Sequence, residues 1–510
     1  MENKKPYYIT TAIAYTSGKP HIGNVYEIVL ADAIARFKRA EGYDVRFQTG
    51  TDEHGQKVEE KAKAAGKTPK QFVDDVAAVI KQQFDVMNTS YDYFIRTTDE
   101  AHERQVQKIF KKFYDQGDIY KGYYEGLYCQ EDEAFYTKSQ LTEDGKCPVC
   151  GGEVVPMKEE AYFFKMSKYA DQLMKYIDEH PHFIQPESRK NEMVNNFLKP
   201  GLQDLCVSRT SFKWGIPVEF DPKHVVYVWI DALANYLTVI GYPDNLDWQN
   251  YWPADIQVIG KDILRFHAGI WPAILMGLGL PLPKTLLVHG HISSGGVKMS
   301  KSLGNVVDPN EIIDNYGLDA WRYYFSRHIP TQDDGDFTWE KFEKAYNNEL
   351  GNDLGNLVSR VANMVKRYQS GVVGDIPGDE FDLHNYNSHM RNLEFDKAMD
   401  EIWVLVRAHN QYIENVKPWE IAKLAQTNKD EENHLAEVLA HSVGGILQIG
   451  QMLAPFMPDT ADKIHTIFRS GVINDEEIGI LFPKIYLKTE DPRITKIQKT
   501  QVKNQTQAKK

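Results

Sequence analysis

The spacing of apolar residues changes twice within the first fifty positions. Tyr7 to Ala14 is an almost unbroken run of β-formers and reads as a buried strand. Tyr15-Thr16-Ser17-Gly18-Lys19-Pro20 is a turn cluster. From Gly23 to Glu41, Val25, Ile28, Val29, Ala33, Ile34 and Phe37 recur at helical spacing, and Gly42 stands at the C-terminal end. Val45–Gly50 forms a second strand that runs into a polar tip. This β-turn-α-β order predicts a nucleotide-binding α/β domain.

Helical patterns follow over Pro69–Met87 and Asp99–Gln116. From Tyr120 to Glu159 the texture shifts to short β-rich pieces with Gly and Cys, as an inserted module would show. Strand-like runs return at Val225–Ile230, Ile256–Gly260 and Leu286–Gly290. After Phe342 the periodicity is helical, over Asn347–Arg367, Tyr386–Val416, Glu431–Leu453 and Asp459–Arg469, with a Gly/Pro-rich linker at Ser370–Asp382. Beyond Asp491 no acidic residue occurs, and that basic tail is expected to be disordered.

Composition narrows the class. At 510 residues the chain exceeds one core, and a 42% hydrophobic share rules out general disorder. No apolar run is long enough to span a membrane and the first residues do not form a signal peptide, so a cytoplasmic protein is expected. Four cysteines make no disulfide framework. A net charge of −13 argues against non-specific nucleic-acid binding over the whole surface, but leaves room for a local basic groove.

Two polar segments carry the chemistry. Lys298-Met299-Ser300-Lys301-Ser302 sets two ammonium groups three residues apart, with Gly295-Gly296 before it and Gly304-Asn305 after it. Such a loop can move and suits a polyphosphate whose charge grows during reaction. His21-Ile22-Gly23-Asn24 opens the first helix, where free backbone N–H groups and the dipole favour phosphate. Each segment alone reads more simply, as a solvated loop and as a cap.

Together they resemble the paired HIGH and KMSKS motifs of the class I aminoacyl-tRNA synthetases, with the second matched letter for letter and Asn24 in the last place of the first. Over Tyr7 to about Tyr486 the sequence is most similar to the methionyl-tRNA synthetases of that class. The resemblance implies a Rossmann-type doubly wound parallel α/β sheet over residues 1–115 and 223–284, split by a connective insertion at 116–222. Residues 285–352 would form the KMSKS loop and stem-contact region. An all-α anticodon-binding domain at 353–489 and a tail at 490–510 would complete the chain.

The resemblance further implies an enzyme that joins L-methionine to Mg2+-ATP, releases pyrophosphate and passes the methionyl group to tRNA(Met). His21, Asn24, Lys298 and Lys301 would serve the transition state. Gly23, Gly260, Asp262 and Ser300 would join them in holding ATP. Ile13, Tyr15, Asp52, Trp229, Ala232, Leu233, Tyr236, Ile263 and His267 would hold methionine, with Leu233 standing where some relatives carry Pro. Asn356, Arg360 and Trp419 would meet the anticodon. The lack of an appended β-barrel after Tyr486 implies a monomer.

Cys147-Pro148-Val149-Cys150 has zinc-knuckle spacing, and Cys129 with Asp132 repeats the interval upstream. Cys129, Asp132, Cys147 and Cys150 form a candidate Zn2+ site. A vestigial site is the alternative, because zinc-free relatives carry an acidic pair where Asp132-Glu133 stands. Cys206 reads as a packed thiol. Two other functions fit the sequence less well. A branched-chain class I synthetase needs a large editing insertion that the stretch from Met87 to Lys261 cannot hold. A non-catalytic RNA-binding paralogue has no need of His21, Gly23, Asp52 and Lys298–Ser302 together.

Overall fold

The structure is a computed structural model and describes residues 4–485, apart from 17, 132–133, 137, 300–303, 375, 377–381, 470 and 474–478. Asp132, Ser300, Lys301 and the basic tail therefore lie outside the described residues. The chain divides into two compact units, Met1–Pro20 with Glu27–His289, and His21–Tyr26 with Gly290–Lys510.

The first unit is built on a seven-stranded sheet. Its strands are β1 (Pro6–Thr11), β2 (Ala14–Tyr15), β3 (Asp44–Asp52), β4 (Tyr93–Arg96), β8 (Ile184–Gln185), β12 (Ile256–Gly260) and β13 (Thr285–His289). All its pairings are parallel. From β1 the chain adds β3 and β4 on one side, while β12 and β13 extend the sheet on the other. The switch point thus falls between β1 and β12, where an open parallel sheet leaves a crevice at its carboxyl edge. β3 and β4 approach closely at Gly50, where a Cβ would lie 2.0 Å from the Ile95 carbonyl oxygen.

A four-stranded antiparallel sheet interrupts this plan. It consists of β5 (Ile119–Cys129), β6 (Ala134–Tyr136), β7 (Val154–Phe164) and β9 (Leu205–Cys206), in the order β6-β5-β7-β9. A small ladder of β10 (Ser208–Arg209) with β11 (Val225–Val226) follows it. β8, within the stretch expected as the insertion, pairs instead with β13 of the main sheet.

The Val225–Ile230 run, expected as a strand, is one only at β11; Tyr227 caps a helix at Val228–Thr238. Tertiary packing overrides β-propensity here. Ile230, Leu233, Ala234 and Leu237 recur at helical spacing and are buried in the unit's main core, which no strand would allow.

In the second unit, β14 (Ile292–Ser294) pairs with β15 (Val297–Lys298) and with β16 (Gly335–Phe337). Trp321 stacks on Phe325, and Phe325 on Phe337, in the adjoining core. Helices at Asn356–Gln369, Phe395–Val416, Pro418–Leu424, Lys429–Leu453 and Pro458–Arg469 complete the unit. The helix expected over Tyr386–Val416 is two, His384–Arg391 and Phe395–Val416, broken at Leu393 with φ +61°. That left-handed backbone costs about 1 kcal/mol or more, offset by burial of the Leu393 side chain.

Candidate functional site

Most residues expected to hold the amino acid stand at the carboxyl edge of the main sheet or on elements packed there. Ile13 follows β1, Tyr15 ends β2, Asp52 ends β3 and Ile263 follows β12. Trp229, Ala232, Leu233 and Tyr236 occupy one face of the Val228–Thr238 helix at i, i+3, i+4 and i+7. Leu233, in the place some relatives give to Pro, lets the helix pass through that position with its backbone N–H intact.

Two of the polar side chains expected in the pocket are committed to each other. Tyr236 donates its hydroxyl to His267 Nε2 at 2.7 Å, and His267 Nδ1 donates to the Ile263 carbonyl at 3.1 Å. Burial holds His267 down to about 4, so the ring is neutral at pH 7. Trp229 stacks on Phe266 with ring centroids 3.5 Å apart and 9° between planes. Its buried Nε1 has no hydrogen-bond partner among the described residues. The Asp52 carbonyl accepts from the Thr16 amide and hydroxyl, which fastens the end of β3 behind its carboxylate. The result is a neutral, aromatic lining with a carboxylate at the sheet edge.

Gly260 ends β12 and Asp262 lies just beyond it. A Cβ at Gly260 would lie 2.7 Å from Asp262 Oδ1, so the glycine lets the exposed Asp262 fold back over the strand end. Two groups that the sequence did not single out lie near this turn, His289 buried and Glu27 half-buried. Glu27 lies 3.2 Å from His289 Nε2, and burial raises its carboxyl although His289 works the other way. Glu27 sits on the inner face of the first helix, and a lone acid among Val25, Ile28 and Val29 was the available signal.

In the second unit, His21 and Asn24 form a reciprocal cap. The His21 amide donates to Asn24 Oδ1 at 3.1 Å, and the Gly23 amide donates to His21 Nδ1 at 3.1 Å. His21 therefore takes the tautomer with its proton on Nε2. A Cβ at Gly23 would lie 2.9 Å from His21 Cε1, so the glycine is required for this cap. The Ile22 amide donates to the Val307 carbonyl and the Asn24 amide to the His21 carbonyl. The expectation of free backbone N–H groups at this helix start is thus corrected, because residues 21–24 use all four internally. What the segment presents to an anion is side chains, with Asn24 exposed.

Lys298 is exposed at the end of β15. Gly295 and Gly296 have φ +62° and +75°, the values of a two-residue type I′ hairpin turn between β14 and β15. These glycines, expected to lend mobility, hold the two positive-φ positions of this turn. The Gly296 amide donates to Asp336 Oδ1 and the Gly295 amide to the Phe337 carbonyl. Asn305 Nδ2 donates to the Lys298 carbonyl at 3.1 Å, which closes the base of the segment that carries Ser300 and Lys301.

Of the residues expected at the anticodon, Asn356 is exposed and Arg360 and Trp419 are half-buried. The Arg360 guanidinium lies 5.2 Å from the Trp419 ring centroid and pairs with Glu414 at 2.6 Å.

The sulfurs of Cys129, Cys147 and Cys150 lie within 4.8 Å of one another, with Cys129 and Cys150 3.4 Å apart. Thiolates bound tetrahedrally to Zn2+ stand about 3.8 Å apart, so three of the four expected donors fit a zinc ion. Gly151, at φ +73°, turns the knuckle, and the Gly152 amide donates to the Cys150 sulfur at 3.3 Å. Cys206 is separate and buried, with its sulfur accepting from Arg209 at 3.4 Å.

Comparison with known proteins agrees with this layout. Residues 7–158 and 143–362 match the family model described as tRNA synthetases class I (M). Residues 379–477 match the anticodon binding domain of methionyl tRNA ligase. The methionine–tRNA ligase of Clostridium tetani is 53% identical, over 91% of this chain and 74% of that protein. That of Clostridium acetobutylicum is 48% identical, over 99% and 82%. The structure of Mycobacterium tuberculosis methionyl-tRNA synthetase in complex with methionyl-adenylate superimposes with a TM-score of 0.87 at 37% identity, covering 96% of this chain and 99% of that one. The chain belongs to the methionyl-tRNA synthetases of the class I aminoacyl-tRNA synthetase family.

Proposed function

We propose that this chain activates L-methionine with ATP and transfers the methionyl group to the 3′ end of tRNA(Met). The observation that carries the reading is the neutral aromatic lining formed by Trp229, Tyr236 and His267, with Asp52 at the same sheet edge. An uncharged, polarisable wall accepts a thioether through edge contacts and a weak hydrogen bond, and a carboxylate holds the substrate ammonium. Ile13, Tyr15, Ala232, Leu233 and Ile263 shape the remainder.

In the reaction, a methionine carboxylate oxygen bonds to the α-phosphorus of Mg2+-ATP as the bond to the bridging oxygen breaks and pyrophosphate departs. Catalysis is positioning plus charge stabilisation. His21, through Nε2, and Asn24, Lys298, Ser300 and Lys301 are assigned to the phosphates, with Gly23 shaping the cap. Gly260 and Asp262 are assigned to the nucleoside. A terminal hydroxyl of the tRNA then attacks the methionyl carbonyl and AMP leaves. Arg360 against the Trp419 ring offers an unpaired anticodon base a stacking surface, and Asn356 offers an edge hydrogen bond.

Zn2+ on Cys129, Cys147 and Cys150, with Asp132 as fourth donor, would bind the tips of β5 and the knuckle together as a structural ion. Metal analysis of protein never exposed to chelator is expected to return close to one zinc per chain. Less than about a tenth of an equivalent would leave only the vestigial reading.

The test of the function is ATP–pyrophosphate exchange across a panel of amino acids. Exchange that requires methionine supports the reading; exchange with leucine or cysteine alone would assign another substrate. Binding of tRNA with no exchange would make the chain an RNA-binding paralogue.

A further inference from the structure

Behind the proposed methionine pocket lies a buried polar chain that nothing in the reaction uses directly. Asp231 is the fourth residue of the Val228–Thr238 helix and is fully buried. Its Oδ2 lies 2.6 Å from His54 Nδ1 and its Oδ1 2.7 Å from His102 Nε2. His102 Nδ1 in turn meets the Thr238 hydroxyl at 2.7 Å. Asp231 and Thr238 are seven residues, about two turns, apart and so share a helix face. Asn235 on that flank accepts from Gln48 Nε2 of β3 at 2.5 Å. Trp229, Ala232, Leu233 and Tyr236 occupy the other flank. The helix is therefore pinned along one side by polar bonds while its opposite side lines the pocket.

The histidine at the other end is fixed with equal care. His54 follows Asp52 by two residues. The Asp52 carbonyl accepts from Thr16, the Glu53 carbonyl from Trp214 Nε1 at 2.6 Å, and the Gly55 amide donates to the Trp214 carbonyl at 3.1 Å. The Trp214 ring packs edge-on against His54. Segment 52–55 thus has little freedom except through the imidazole that reaches Asp231.

We propose that Asp231, shared between His54 and His102, is a positioning residue for methionine: it locks the rotation of the pocket helix to the strand end that carries Asp52. The proposal rests on the assignment of that helix and of Asp52 to methionine. Two substrate contacts, thioether and ammonium, come from different elements, and one buried carboxylate sets them in register. Burial alone would lower His54, but Asp231, with Glu103 Oε1 3.5 Å from Nε2, raises it to about 10, so an imidazolium faces the carboxylate. Burial works to raise Asp231 and the two histidines outweigh it. A buried pair of this kind adds little net stability compared with apolar packing but imposes one geometry, and breaking it leaves an uncompensated charge.

The experiment is methionine-dependent ATP–pyrophosphate exchange on Asp231→Asn, with KM measured separately for methionine and ATP and with the thermal midpoint recorded. The expected result is a methionine KM raised about tenfold or more, with the ATP KM within about twofold. His54→Asn, whose amide can replace the Nδ1 donor, is expected to keep more methionine affinity than His54→Ala. Equal rises in both KM values, or a lowered midpoint with both KM values unchanged, would show a merely structural residue and overturn the proposal. Should Asp231→Asn not fold, Thr238→Val carries the test by removing the outer bond to His102, together with the hydroxyl's 3.4 Å bond to the Asn235 carbonyl within the same helix. A methionine KM raised about threefold then supports the proposal, and an unchanged one overturns it. Wild-type protein without methionine-dependent exchange would overturn the function itself, an outcome separate from any behaviour of the variants.

Discussion

Among the residues proposed for methionine, Tyr236 and His267 are almost fully buried and committed to each other; in the segment that carries Lys298 a cation stands exposed at the end of a two-residue strand. Lys298 is exposed, and its hairpin is held through backbone groups, with the Asp336 carboxylate accepting from the Gly296 amide and the Asn305 side-chain amide donating to the Lys298 carbonyl. The contrast follows from the ligands. A thioether offers few hydrogen bonds, so its recognition requires a pre-shaped neutral surface whose own polar atoms are satisfied. A triphosphate brings charge, and an exposed cation such as Lys298 needs no desolvation in its absence. One region is built before its ligand and the other waits for it.

The strongest way to break this comparison is to remove a cation. Lys301→Ala is expected to lower methionine-dependent exchange by about 10²–10³-fold, with the methionine KM little changed. A large rise in that KM would mean that the two regions do not divide the substrates as assigned. Trp419→Ala should leave exchange near normal while charging of tRNA falls about tenfold or more. A parallel loss of both would remove the anticodon assignment and tie that helix to activation.

A smaller effect sharpens the pocket side. Tyr236→Phe deletes the hydroxyl that His267 accepts and is expected to raise the methionine KM about fivefold, with the ATP KM unchanged. Separate from these kinetic effects is a stability effect with a defined sign. The His267 value falls from 6.5 unfolded to about 4 folded. Below 6.5 the unfolded chain binds a proton that the folded chain refuses. This contribution to stability is therefore fully present above pH 6.5 and is lost as pH falls toward 4, about 3 kcal/mol in all. The thermal midpoint should decline over that window, and His267→Gln should flatten the decline relative to wild type. His54, raised to about 10, has the opposite sign: its contribution is complete below pH 6.5 and is lost as pH rises through 10. An acid limb that His267→Gln leaves unaltered would show that the pocket is not as dry as its geometry indicates.

How much of this was legible beforehand differs element by element. The sequence by itself determined the β-turn-α-β start, the helical C-terminal third and the spacing of the cysteine knuckle, and it supplied the side chains proposed for the phosphates. Those features are local: period, turn chemistry and motif spacing are written in neighbouring residues. Only the tertiary structure decided that Trp229 and Ile230 lie on a helix and that the helix from Tyr386 breaks at Leu393. In both places burial against distant residues outweighs local preference. It also decided that the amides of residues 21–24 are already used, since Val307, nearly three hundred positions away, takes one of them. The Asp231 network is the clearest case. His54, His102 and Asp231 are separated by 129 to 177 positions from partner to partner. In sequence each is an isolated polar residue beside apolar ones. Their joint meaning arises when the sheet and two helices bring them within hydrogen-bond reach, because buried charge is tolerable only where its partner is already in place.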